Sequence, residues 1–111
     1  MKIPNNEYSF VPDNKITDYL LSETHKIGKH KAEFFRRFGF SLNEIETFKN
    51  SLIQHSIDRD IVDTKNSEFG VKYELKCEFR TPDNRNPCIK TVWIVENGHE
   101  EPKLITAYPA E

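Results

Sequence analysis

The sequence predicts an α+β domain: two or three N-terminal helices packed on one face of a three- to four-stranded antiparallel sheet. Two observations carry this. Apolar residues recur at helical spacing up to about residue 56, and from residue 61 the period changes to two, with alternation unbroken from Val71 to Arg80. Helices first and strands afterwards, joined by short turns, give segregated layers rather than a parallel sheet. A chain of 111 residues supports one hydrophobic core and not two. A single domain over 1–111 is therefore expected, with its core between about 16 and 109 and residues 1–12 as an extended arm.

Taken in order, Ile16, Tyr19, Leu20 and Leu21 form a short apolar stripe after the turn-prone Pro12-Asp13-Asn14, which predicts a two-turn helix. Ala32, Phe34, Phe35 and Phe38 share one arc at ~100° per residue, so residues 29 to 38 read as a second helix that Gly39 caps. Ser41 and Glu44 stand as N-cap and N3 of a capping box, and Leu42, Ile45, Phe48, Leu52 and Ile53 carry the third helix from about 42 to 56. Residues 61 to 64 offer a further strand, paired through a turn at Glu68-Phe69-Gly70. In the long alternating strand Val71, Tyr73, Leu75, Cys77 and Phe79 take one face, and Lys72, Glu74, Lys76, Glu78 and Arg80 the other, wet or functional one. Residues 81 to 87 form a turn by composition, 88 to 95 pair back antiparallel, Asn97-Gly98 turns again, and 104 to 108 close the sheet.

Sixteen Lys plus Arg against eighteen Asp plus Glu leave a net charge of −2, which excludes a generally basic protein that coats nucleic acid. Leu, Ile, Val and Phe make up 29 of the 111 residues, above the level of roughly 20% at which chains stay disordered. No apolar run approaches the ~18 residues of a membrane span, and residues 1 to 6 lead into no signal-like stretch, so a soluble, cytoplasmic protein with no membrane partner is expected. His25 and His30, five apart, do not share a helix face, and Cys77 and Cys88 lack the Cys-x-x-Cys spacing of structural zinc. No metal and no cofactor are expected. The two cysteines are symmetric about the 82 to 87 turn and could lie opposite one another, but in a reducing cytosol they are expected to remain thiols, with Cys77 on the buried face.

Residues 25 to 37 hold Lys26, Lys29, Lys31, Arg36 and Arg37 against the single acid Glu33, a charge of +4 beside a remainder of −6. Such a patch fits a phosphate-bearing ligand, and it also fits a solvated helix face. Lys31 falls in the middle of the apolar arc in the first turn, so it either snorkels past the helix end or points its cation at the loop that holds His25. His25, flanked by cations, suits proton transfer, whereas His30, His55 and His99 read as structural or solvated. On the last strands, alternation groups Thr91 with Trp93 and Thr106 with Tyr108. If Val92, Ile94, Ile105 and Ala107 pack on the helices, those four form an outward polar-aromatic platform for base stacking and phosphodiester hydrogen bonds. Strand propensity explains the same four residues without a ligand.

The order His25-x-x-Gly28-x-x-Lys31-Ala32-x-Phe34-Phe35, then Gly39-Phe40, Phe69-Gly70-x-Lys72-Tyr73, Thr91-Val92-Trp93 and Leu104-x-Thr106-Ala107-Tyr108-Pro109 resembles a family of small bacterial domains found alone or at the C-termini of larger proteins, toxin-like ones included. The resemblance spans roughly 16 to 109. The layout is also similar to the ribonuclease-toxin superfamily of barnase, RelE-like toxins and the tRNA-cleaving colicins, at the level of fold. The resemblance also implies a substrate-binding role for Arg85, although this chain departs from the pattern there: where relatives tend to have Gly-Arg in the turn between the two long strands, it has Asn84-Arg85-Asn86. The resemblance implies a metal-independent endoribonuclease of toxin type, in which the ribose 2′-hydroxyl attacks the adjacent phosphate. His25 is then the general base or acid, Lys31 faces the developing phosphorane charge, and Thr106 with Thr91 hydrogen-bonds the scissile phosphate. Lys29 and Arg85 bind substrate while Trp93 and Tyr108 position a base. RNA is the implied substrate, and a cognate antitoxin or immunity protein the implied partner. The other reading is a non-catalytic protein-binding module, or an antitoxin or adaptor of such a system, which the near-neutral charge favours.

Overall fold

Among the described residues three α-helices, two short 3-10 turns and four strands follow one another as the change of period dictates. The structure, a computed structural model, describes residues 1–16 and 29–110, and of residues 29–31 the backbone alone. The helices are α1 (Asp13–Lys15), α2 (Lys29–Arg37) and α3 (Ile45–Asp58), and the strands β1 (Ile61–Ser67), β2 (Gly70–Glu78), β3 (Cys88–Glu96) and β4 (Lys103–Pro109). The sheet runs β1-β2-β3-β4, each strand antiparallel to the one before it, because every connection between strands is short enough for a hairpin. This is the expected α+β arrangement. Of the predicted helix at 16–21, all but Ile16 lies outside the described residues; Ile16 follows the single turn of α1 and is fully buried.

α2 buries Ala32 and Phe35 and ends where expected: Gly39, at φ +103, takes the left-handed conformation, with its N–H donating to the Arg36 carbonyl at 3.0 Å. At the next helix Ser41 Oγ accepts from the Asn43 N–H at 3.2 Å, but the first turn, Leu42–Glu44, winds as a 3-10 helix before α3 begins. The two helices meet the sheet through four phenylalanines. Phe35, Phe40, Phe48 and Phe79 are buried with ring centroids 4.6 to 6.5 Å apart, mostly tilted or edge-on, as ring quadrupoles prefer.

The inner face of the sheet is Leu75 on β2, Ile89, Thr91 and Trp93 on β3, and Leu104 and Ala107 on β4, all fully buried. Two expectations are corrected here. Thr91 and Trp93 were expected on the outward platform with Thr106 and Tyr108, and the pairing separates them: Lys90 lies opposite Tyr108, Val92 opposite Thr106, and Thr91 opposite the buried Ala107. β3 is apolar on both faces, so alternation cannot choose between them; the indole, the larger payload, goes inside. A register shift between Val92 and Trp93, where Leu104 rather than Ile105 faces Trp93, keeps the two buried sets of β3 and β4 together. The second correction concerns the cysteines. Cys77 is exposed, with φ +93, and it is disulfide-bonded to Cys88, which lies one position out of register opposite Glu78. Neither is a free thiol, and the inward alternation of β2 breaks at Cys77.

The N-terminal segment lies against both rims of the sheet. The Met1 carbonyl accepts from the Ile61 N–H, Phe10 pairs in parallel with Lys103, and Ile3 and Val11 are buried.

Candidate functional site: the open face of the sheet

With both longer helices on one face of the sheet, no described element covers the other. The even-numbered residues of β2 and β3 point there, and antiparallel pairing sorts them into transverse bands. Lys65 of β1 faces Lys72 of β2; Asp63 faces Glu74, which faces Val92 and through it Thr106; Lys76 faces Lys90, which faces Tyr108. The result is a cationic band, an acidic band and a second cationic band. Like charges directly opposite one another destabilise a sheet, so this sorting is not what stability alone selects.

Some of the charge is answered internally. Lys90 Nζ lies 2.8 Å from Glu74 Oε1, and this hydrogen bond holds the ammonium pKa above its ordinary value. Lys65 reaches Asp63 at 3.8 Å and Lys103 reaches Glu96 at 3.7 Å. Lys72 and Lys76, two residues either side of Glu74, are exposed and make no ion pair among the described residues. Between the bands is an open depression of about 260 Å³ bordered by Asp63, Lys65, Lys72, Glu74, Val92 and Tyr108. It offers ammonium groups, carboxylates and a phenol within one shallow concavity, with the Thr106 position adjoining on β4. Such a set can bind an anion, move a proton or hydrogen-bond a hydroxyl.

The residues singled out from the sequence fall into three groups. Thr106 and Tyr108 stand on this open face. Thr91, Trp93 and Arg85 do not. The Trp93 Nε1–H donates to Thr91 Oγ1 at 2.9 Å, the Thr91 hydroxyl lies 2.9 Å from His55 Nδ1, and His55 Nε2 lies 2.8 Å from the Cys77 carbonyl. All three side chains are buried, and they form an internal chain of hydrogen bonds. Burial lowers the His55 pKa to about 4, so the imidazole is neutral at ordinary pH. Arg85 is equally occupied: its guanidinium is hydrogen-bonded to Asp83 and to the Arg37 carbonyl at the end of α2, and lies 4.3 Å from the Phe38 ring centroid. That is a clamp between the 82 to 87 turn and the C-terminal end of α2, favourable to the helix dipole. His25 lies outside the described residues, and of Lys29 and Lys31 only the backbone, in the first turn of α2, is described. Sequence reasoning passed over Lys72, Glu74, Lys76 and Lys90. For Lys72, Glu74 and Lys76 the signal was present: they are the wet half of the alternation that identified β2.

A family model described as a domain of unknown function, DUF6883, matches residues 2–111. No curated protein matches the sequence. Among solved structures the chain is similar to a chain of the contact-dependent growth inhibition toxin–immunity protein complex from Klebsiella pneumoniae 342, with a TM-score of 0.71 and 20% identity over 91% of this chain and 99% of that one. At that identity the likeness is one of fold.

Proposed function

We infer that this chain, which belongs to the DUF6883 family, serves in a bacterial toxin–immunity system as the toxin-type half, an endoribonuclease working on the open face of its sheet. One observation carries the reading: Thr106 and Tyr108 share that face with the Glu74–Lys90 ion pair and with Lys72, which makes no ion pair among the described residues, around a depression open to an extended polyanion. The fold likeness to a chain of a toxin–immunity complex supports the setting.

In this reading the ribose 2′-oxygen attacks the adjacent phosphorus and the bond from phosphorus to the 5′-oxygen breaks, leaving a 2′,3′-cyclic phosphate and a free 5′-hydroxyl. The proton of the 2′-hydroxyl passes to the Glu74 carboxylate or to the His25 imidazole, and the departing 5′-oxygen takes up a proton from solvent water. Lys90 and Lys72 answer the charge that gathers on phosphorus, while Thr106 hydrogen-bonds the phosphate and Tyr108 borders the base. Thr91, Trp93 and Arg85 have no substrate role. RNA as substrate places the action in a cytoplasm, and no helix among the described residues is long and apolar enough to cross a membrane. The partner is an immunity protein with acids where it covers Lys72 and Lys76.

Expression in a bacterial host tests this. The expected outcome is growth arrest with RNA fragments ending in 2′,3′-cyclic phosphate, abolished by Thr106→Val together with Glu74→Gln. His25→Ala separates the two proton carriers: loss of cleavage assigns the proton to His25, and retained cleavage to Glu74. A folded, harmless wild type that leaves RNA intact favours the second reading, a protein-binding module, for which the net charge of −2 speaks.

A further inference from the structure

We propose that the banded face is a track for single-stranded RNA running along β2, with one backbone phosphate held at Lys72, another at Lys76, and a ribose 2′-hydroxyl between them donating to Glu74. The proposal deepens the ribonuclease reading and rests on it for the choice of RNA. The bands are the starting point. Lys65 opposite Lys72 and Lys76 opposite Lys90 are two like-charged cross-strand pairs on one face, and Asp63 opposite Glu74 lies between them. Each such pairing is unfavourable in the free protein, and each is relieved by a group of opposite character laid across it.

The spacing selects the ligand. Lys72 and Lys76 are four residues apart on one strand, about 13 Å at the rise of an extended chain, a span that a short stretch of unpaired nucleic-acid backbone covers. The acids in the middle select further. Asp63 and Glu74 repel the phosphates of either nucleic acid, and only an RNA strand can present a hydroxyl donor there, a group that DNA lacks. Lys90 and Lys65 are the cations that lean toward the acidic band, at 2.8 Å from Glu74 and 3.8 Å from Asp63. That leaves Lys72 and Lys76, without ion pairs among the described residues, as the phosphate contacts. Ile94 is buried and Val92 is partly so, and a strand that lies flat therefore gains its affinity from charge and from the Tyr108 ring, and the affinity depends on salt.

Stopped-flow fluorescence anisotropy with a labelled single-stranded RNA and the DNA of the same sequence, over a series of salt concentrations, tests the track, with cleavage of the same RNA scored separately. The wild type is expected to bind RNA roughly tenfold more tightly than DNA. Lys72→Ala and Lys76→Ala should each weaken RNA binding about five- to tenfold and lower the salt slope by about one. Glu74→Gln should narrow the RNA–DNA gap, and Arg80→Ala, a cation that lies 3.8 Å from Asp58 at the end of α3, should change nothing. Equal binding of RNA and DNA, or lysine variants that bind as the wild type does, overturns the track. The two failures read differently: binding without cleavage keeps the track and removes the nuclease, and cleavage indifferent to Lys72 and Lys76 keeps the nuclease and removes the track. Absence of both removes both, and points these lysines to a protein partner.

Discussion

His55 Nδ1 and Thr91 Oγ1 lie 2.9 Å apart in the core, and the hydrogen between them belongs to the hydroxyl. The direction follows from the neighbours. His55 Nε2 faces the Cys77 carbonyl, which can only accept, so the ring proton is on Nε2 and Nδ1 is bare. Thr91 Oγ1 already accepts from the Trp93 indole, and gives its own hydrogen to Nδ1. The three bonds run in one direction from β3 through α3 to β2, and the arrangement requires a neutral imidazole.

Stability should therefore fall on acidification by a route specific to His55. Its pKa is lowered by burial from an unfolded value near 6.5 to about 4, so the unfolded chain takes up a proton first as pH drops. The contribution is intact above about pH 6.5 and lost progressively down through pH 4, roughly 3 kcal/mol in all. Urea midpoints measured from pH 7 to pH 4 should slope more steeply for the wild type than for His55→Leu; parallel slopes would contradict this.

Thr91→Val and Thr106→Val should part company although both remove one hydroxyl from the sheet. The first strands the Trp93 N–H and His55 Nδ1 in the core and is expected to cost roughly 2–4 kcal/mol with no loss of cleavage per folded molecule. The second should change stability by no more than about 1 kcal/mol and lower RNA cleavage. Thermal unfolding alongside a cleavage assay distinguishes them.

Reduction of the Cys77–Cys88 bond, which closes a loop of sequence separation 11, should destabilise the domain by about 3 kcal/mol, on the order of 10 °C in Tm. The double variant Cys77→Ser, Cys88→Ser should show the lower Tm and no response to reductant.

Gly70 and Gly98 both have positive φ, +152 and +82, but only one is crowded. A Cβ at Gly70 would meet the Val95 carbonyl oxygen at 2.3 Å, so Gly70→Ala must displace β2 from β3 and should cost several kcal/mol. Gly98 has nothing within 4 Å, and Gly98→Ala should cost only about 1 kcal/mol of backbone strain. Denaturant midpoints of the two variants give the comparison.

Arg85→Ala should lower stability by about 1 kcal/mol, through the lost contact over Phe38 and the uncapped Arg37 carbonyl, and leave RNA affinity unchanged. A selective loss of RNA binding with unchanged stability would return Arg85 to the substrate.

How far the sequence was legible depended on what each signal measures. Period fixes element type, so α2, α3 and all four strands were foreseen, and so was Gly39 as a cap, because the left-handed position has a residue preference of its own. Period does not fix facing where a strand is apolar on both sides. For Val92, Trp93 and Ile94 the outcome depended on register against Thr106 and Ala107, a non-local property that the shift at Trp93 alters. Cys77 escaped for a related reason: the alternation assumes extended backbone, and φ +93 turns the side chain out of sequence. Arg85 was drawn to the substrate by a resemblance in the turn, and the partners that hold it, Asp83, Phe38 and the Arg37 carbonyl, meet only once α2 and the turn are side by side.

The N-terminal segment touches β1 through Met1 and β4 through Phe10, the first and last strands of a meander whose other pairings are all between chain neighbours. Hairpins of that kind zip locally and fast, whereas a strap from rim to rim must wait for both rims to exist. Clipping the first eleven residues would thus leave a sheet able to form but with two bare edges, a shape that invites strand-by-strand stacking with other copies of itself.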